Sequence, residues 1–272
     1  MKLWPLPLGE RKKGSQELIE SLRADDPQTR WEAAEALGGV REEKVRRALI
    51  EALGDEHPFV RWKAGEALVR SRDKAMMGLL LKALGSENSL RQASVAEVMG
   101  QIGDGQAVEP LCRALEKGSE GVRWSASEAL IKVGDARAVP SLIKALTDEA
   151  PWVRRNATEA LGRIRDRRAV PHLVRRLTDR SAWVRSSAAK ALGSIGDRAA
   201  ISPLNQALDD GDALVRWHAA RALGRFGDKT ALPSLRDLLT DEEQGAGTRV
   251  CDAARCSISR IKRRSWIGFI RR

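Results

Sequence analysis

Residues 138–166 read AVPSLIKALTDEAPWVRRNATEALGRIRD, and the columns of this stretch return along the chain at a spacing of 31 residues. Leu146 belongs to a leucine column made of Leu22, Leu53, Leu84, Leu115, Leu146, Leu177, Leu208 and Leu239. Eight residues after each leucine stands an arginine: Arg30, Arg61, Arg123, Arg154, Arg185 and Arg216, with Gln92 and Gly247 breaking the column. Twelve further on comes an acid: Glu42, Asp73, Asp104, Asp135, Asp166, Asp197 and Asp228. A period of this size makes each repeat one supersecondary element whose apolar face cannot be buried alone, so the copies must stack.

Each repeat reads as two short helices, A and B. Pro140 suits a first helical position because its missing N–H would have had no intrahelical partner. Asp148 and its counterparts Asp55, Asp179, Asp210 and Asp241 fall in the link, where a side-chain oxygen satisfies orphan N–H groups at the start of helix B. Pro58 and Pro151 mark that start. The apolar positions of helix B, such as Val153, Ala157, Ala160, Leu161 and Ile164, follow a helical and not a strand period. Alanine and glycine between them allow neighbouring helices to approach closely. The regular arginines and acids predict a ladder of inter-repeat ion pairs and turn hydrogen bonds.

The phrase VRxxAxxALGxIGDxxAVPxLxxAL resembles the HEAT-like repeat named after the phycobilisome lyases, a module also used for engineered alpha-helicoidal binding scaffolds. The resemblance runs over roughly residues 15 to 260. It implies an all-α fold, a right-handed α-solenoid of about eight two-helix repeats whose helices B line the concave surface. Residues 1–14 are expected to be an extension or cap, 15–247 the solenoid, and 248–272 a degenerate last repeat ending in a basic amphipathic cap or tail. The family includes chromophore lyase subunits, assembly factors and plain binding proteins, so the resemblance implies an architecture and not an activity.

Composition narrows the function classes. The chain has 272 residues, 42 % hydrophobic and 4 % aromatic, enough for a continuous stacked core in a soluble helical protein. It contains no run of about 18 apolar residues to span a bilayer, and the opening MKLWPLPLGERKK is too short and proline-broken for a secretory signal, so cytoplasmic residence is expected. Of the net charge of +11, residues 1–13 supply three through Lys2, Arg11, Lys12 and Lys13 against Glu10, and residues 260–272 supply six through Arg260, Lys262, Arg263, Arg264, Arg271 and Arg272. The repeats between are almost neutral, whereas a nucleic-acid-tracking solenoid needs a continuous basic stripe. Cys112, Cys251 and Cys256 offer no second pair or nearby histidine for a tetrahedral zinc site. His57, His172 and His218 occupy different columns, and no serine has a paired base or glycine elbow. No catalytic residue, cofactor, metal or small-molecule substrate is expected.

The tryptophans point to a surface. Trp31, Trp62, Trp124 and Trp217 directly follow the arginine position, which Arg155 takes in the fifth repeat; Trp152, Trp183 and Phe59 lie two before it. The two columns are three residues apart, on one face of the first turn of helix B and outside its apolar stripe, so these rings are expected to be at least partly exposed. On the same face stand Glu35, Glu66, Glu97, Glu128 and Glu159, after which the row turns basic at Lys190 and Arg221. A concave groove acidic toward the first repeats and basic toward the last suits a folded protein or long peptide of opposite polarity. Tryptophan and arginine dominate interface hot spots. At the ends, Leu3, Trp4, Leu6 and Leu8 offer a cap for the first repeat, and the segment holding Trp266, Phe269 and Ile270 reads either as a cap for the last or as an arm for an anionic membrane or RNA.

The leading reading is a non-catalytic protein-binding scaffold or assembly and maturation factor. Two others stay open: a subunit of a bilin lyase or isomerase, implied by the resemblance alone, and a nucleic-acid or membrane adaptor acting through the basic termini.

Overall fold

The computed structural model describes residues 14–71 and 75–270, with 264–270 described by backbone alone. Leu3, Trp4, Leu6, Leu8 and Asp73 lie outside the described residues, as do the side chains of Trp266, Phe269 and Ile270. The chain divides into two compact units, Met1–Ile102 and Gly103–Arg272.

The described residues form eight helix pairs. In the N-terminal unit these are α1 (Ser15–Ser21) with α2 (Pro27–Ala36), α3 (Glu43–Ala52) with α4 (Pro58–Ser71), and α5 (Met76–Leu84) with α6 (Ser89–Ile102). The C-terminal unit carries α7 (Val108–Lys117) with α8 (Glu120–Val133), α9 (Val139–Ala145) with α10 (Pro151–Ile164), and α11 (Val170–Arg176) with α12 (Ala182–Ile195). It continues with α13 (Ile201–Gln206) and α14 (Ala213–Phe226), then α15 (Leu232–Asp237) and α16 (Val250–Ile270). Odd-numbered helices are A and even-numbered are B. Each unit is an all-α solenoid stack in which successive B helices lie against one another and each A helix packs on its own B. No helix among the described residues is long and apolar enough to cross a membrane.

The core follows the periodic leucines and alanines. Leu53, Leu146, Leu161, Val153, Ala157 and Ala160 are all buried. Leu239 departs from its column and is 37 % exposed, while Leu238 is buried in its place. A 3-10 turn over Leu238–Thr240 ends α15 early. Close approach of the B helices is visible at Gly162, where an added Cβ would lie 2.8 Å from the Cα of Ala191.

The ion-pair ladder is present, but its carboxylates come from the link aspartates and not from the acidic column. Arg30 pairs with Asp55, Arg123 with Asp148, Arg154 with Asp179, Arg185 with Asp210 and Arg216 with Asp241. Each aspartate thereby joins its repeat to the one before. The Asp oxygens also accept the backbone N–H two residues on, at His57, Ala150, Ser181, Asp212 and Glu243. Arg154 and Asp179 are the most enclosed rung, with side chains 5 % and 3 % exposed. Burial works to raise the pKa of Asp179, Asp210 and Asp241, but the arginine and backbone hydrogen bonds outweigh it and hold all three below the ordinary carboxylate range. The rungs fail at Ser86, whose hydroxyl has no hydrogen-bond partner among the described residues, at Gln92, which donates to the Leu84 carbonyl instead, and at Lys117.

The acidic column caps turns, and two of its members also pair across repeats, Asp228 with Arg198 at 2.5 Å and Asp197 with Arg167 at 3.9 Å. Asp104, Asp135, Asp166, Asp197 and Asp228 each accept the N–H two residues on and cap the short 3-10 turn that leads into the next helix A.

Candidate binding face on helices B

Helix B opens on the rings that the repeat places at its first turn, and the two units treat them differently. In the N-terminal unit, Phe59 lies edge-on to Trp31 at 5.3 Å between centroids and against Trp62 at 5.1 Å. The Lys63 ammonium stands 4.8 Å from the Trp62 ring centre and pairs with Glu35 at 2.8 Å and Glu66 at 3.4 Å. Arg70 reaches Glu66 at 3.2 Å. Below these groups is a cleft of about 450 Å³ between α4 and α6, lined by Trp62, Glu66 and Glu97 among others.

In the C-terminal unit, Trp124, Trp152 and Trp183 are exposed, Trp183 most of all at 66 %. None of the three has an aromatic partner among the described residues. A second cleft, about 560 Å³, runs across α10, α12 and α14. Arg155, Glu159, Trp183 and Lys190, four of the residues singled out by the repeat, converge on it. Glu159 is bonded to Arg163 at 3.3 Å. Glu128 lies outside the cleft and pairs with Lys132 one turn on at 3.6 Å; like the Glu159 and Glu66 pairs, this is the ordinary i, i+4 arrangement of a helix surface.

Trp217 departs from the expected exposure. It is only 6 % exposed, because the segment between α15 and α16 folds back over it. Gly245 donates its N–H to the Thr248 carbonyl at 2.9 Å to close a tight turn, and a Cβ at Gly245 would collide with the indole. The indole Nε1–H donates to Thr248 Oγ1 at 2.9 Å. Arg221 lies over the other surface of the ring, 4.6 Å from its centre, so Trp217 belongs to the packing of the last repeats and Arg221 is drawn to it.

Two cleft residues escape a reading by columns. Arg165 is the one non-glycine residue with positive φ among the described residues, at φ 60°. Gly103, Gly134, Gly196 and Gly227 hold the same column at φ 65–78°, and only glycine adopts that left-handed conformation without a cost of roughly 1–2 kcal/mol. In sequence this column reads glycine at those four positions and arginine at Arg41, Arg72 and Arg165. His218 lines the same cleft; burial first, then the nearby Lys190, Arg221 and Arg225 charges, push its pKa down to about 4. It is therefore neutral at pH 7.

The repeat geometry identifies the class, and sequence comparison agrees. HEAT repeats match residues 15–100, 77–150, 132–189 and 176–250; the chain belongs to the HEAT-repeat family. No curated protein matches the sequence. Among solved structures, the fold is similar to YibA from E. coli, with 22 % identity over 93 % of each chain and a TM-score of 0.67. It is also similar to Kap95p in its complex with RanGDP, with 15 % identity, a TM-score of 0.65, and coverage of 91 % of this chain and 41 % of Kap95p. A looser likeness is to the complex of CpcE and CpcF of phycocyanin lyase from Nostoc sp. PCC7120, at 23 % identity, 96 % and 99 % coverage and a TM-score of 0.43.

Proposed function

We propose that this chain is a non-catalytic scaffold that binds a protein or long peptide on its helix-B face, in the manner of an assembly factor. The observation that carries this reading is the row Trp124, Trp152 and Trp183, three rings on successive B helices of one unit, exposed and unpartnered by other rings. Each ring offers a large, rigid contact surface at little entropic cost, the kind of residue on which interfaces concentrate their energy. The buried ladder behind them fixes the spacing of the helices that carry the rings, so the row is held in place before a partner arrives.

The test is capture of partners from the native cell extract with the intact protein and with W124A/W152A/W183A. The triple variant should keep its helical content and melting temperature and lose the captured partner, since hot-spot truncations cost about 2–4 kcal/mol each. A variant that retains its partner, or that unfolds with its loss, would show the rings to be structural cover.

A further inference from the structure

The C-terminal cleft carries more positive charge than the repeat requires. Arg155, Arg163, Arg165 and Lys190 line it against a single carboxylate, Glu159, which Arg163 already engages. Arg155, Arg165 and Lys190 have no ion partner among the described residues. Two of them are not a by-product of the 31-residue pattern. Lys190 stands where five earlier repeats carry glutamate and Arg155 where four repeats carry tryptophan, while Arg165 shares its column with Arg41, Arg72 and four glycines. Two departures from the pattern thus meet in one cleft beside Arg165, which holds a left-handed backbone that arginine adopts only under strain. The most exposed ring among the described residues, Trp183, forms part of its wall.

We propose that this cleft docks an acidic segment of the protein partner, seating carboxylates on Arg155, Arg165 and Lys190 with an apolar side chain against Trp183. The proposal rests on the helix-B scaffold reading and specifies what that surface selects. Guanidinium groups take carboxylates in paired, charge-assisted hydrogen bonds, and the cleft is a trough across three helices, shaped for an extended chain. A nucleic acid fits less well. The basic strip is short: toward α8 the next charged residue of the row is Glu128, paired with Lys132, and toward α16 the turn over Trp217 closes the face. Tight backbone tracking needs a longer series of phosphate contacts than three free cations supply.

The experiment uses the full chain and a fluorescein-labelled peptide, Glu-Glu-Glu-Leu-Glu-Glu-Glu, followed by anisotropy beside its glutamine counterpart and a ten-nucleotide uridine RNA. The acidic peptide should bind saturably and lose affinity steeply between low and physiological salt; the glutamine peptide should not bind. R155E/K190E, both exposed positions, should weaken it at least tenfold with helical content unchanged, and the charge-matched R175E/R236E, at exposed positions on helices A outside the cleft, should leave it within twofold. Binding that survives R155E/K190E, or RNA that binds more tightly than the peptide and is lost in the same variant, would overturn the proposal. Absence of peptide binding in a protein whose tryptophan variant still loses its captured partner would reject the acidic dock and leave the scaffold standing. The converse pattern would reject the scaffold's tryptophan face alone.

Discussion

The same helix-B face is used in opposite ways by the two units. In the N-terminal unit its side chains engage one another, although Phe59 and Trp62 stay 40 % and 56 % exposed: Trp31, Phe59 and Trp62 are in ring contact, Lys63 stands against Trp62 and pairs with Glu35, and Arg70 takes Glu66. In the C-terminal unit the rings stand apart and three cations face solvent unpaired. The ladder behind the face shows the reverse. The N-terminal unit has one rung, Arg30 to Asp55, while the C-terminal unit has four in succession. A face left unsatisfied for a partner costs stability, and the regular unit is the one whose backbone is best secured against that cost. The division between the units falls in the stretch where the ladder positions are Ser86, Gln92 and Lys117.

Breaking the ladder should give the largest effect. D179A leaves the Arg154 guanidinium buried without its carboxylate, and such a loss costs about 3–5 kcal/mol. Chemical denaturation should show it as a lower midpoint. The opposite change, S86D, offers Arg61 the carboxylate that its column lacks, and should raise stability by up to about 1 kcal/mol. If D179A proves harmless, the ladder is not what secures the C-terminal unit.

Acid tests the half-buried histidine of the C-terminal cleft. His218, packed against Trp217, has its pKa lowered from 6.5 to about 4, by desolvation first and then by the charges of Lys190, Arg221 and Arg225. Between those values the unfolded chain binds the proton and the folded chain does not, so stability falls as pH drops from about 6.5 toward 4, by at most about 3 kcal/mol. H218Q should flatten that part of the profile. The link aspartates, whose pKa values are depressed, contribute their own loss only at lower pH.

The aromatic rows give a smaller and more direct contrast. W62A removes a ring contact with Phe59 and the cation beside it, worth about 1–2 kcal/mol together. W183A, at the most exposed ring among the described residues, should change stability by less than about 0.5 kcal/mol. Equal effects would mean that both faces are closed, or both open.

Most of the fold is legible in the 31-residue columns, because each column is one environment repeated. The helix pairs, the buried leucines and the capping prolines follow from local rules that do not depend on distant neighbours. The ladder is legible in kind but not in its partners, since two acidic columns compete and only packing brings Asp179 to Arg154. A signal was present: five arginines are followed by aspartate 25 residues on, whereas Gln92 is followed by Lys117. Trp217 was misread as exposed because its cover comes from Gly245 and Thr248, in an insertion that has no counterpart in other repeats. The convergence of Arg155, Glu159, Trp183 and Lys190 was visible as shared facing, while Arg165 joins them only through the path of the chain after α10.

A small stability change paired with a binding change discriminates most sharply between the two faces. Replacing Arg165 by glycine relieves a left-handed conformation that costs arginine roughly 1 kcal/mol, and the added freedom of the unfolded chain returns about 0.4–1 kcal/mol of that gain. The net change is therefore between zero and about 0.6 kcal/mol in favour of folding, a rise in melting temperature of no more than about 2 °C for a chain of this size. The same variant should bind the acidic peptide about three- to tenfold more weakly, because one of three unpaired cations is gone. G134R places an arginine in the same column one repeat earlier, where glycine holds φ 65°; it should lower the melting temperature and leave peptide affinity unchanged. A protein that becomes less stable on R165G would show that the arginine is held by contacts within the fold. Its unusual backbone would then be structural, and the contrast between a closed face and an open one would lose its strongest support.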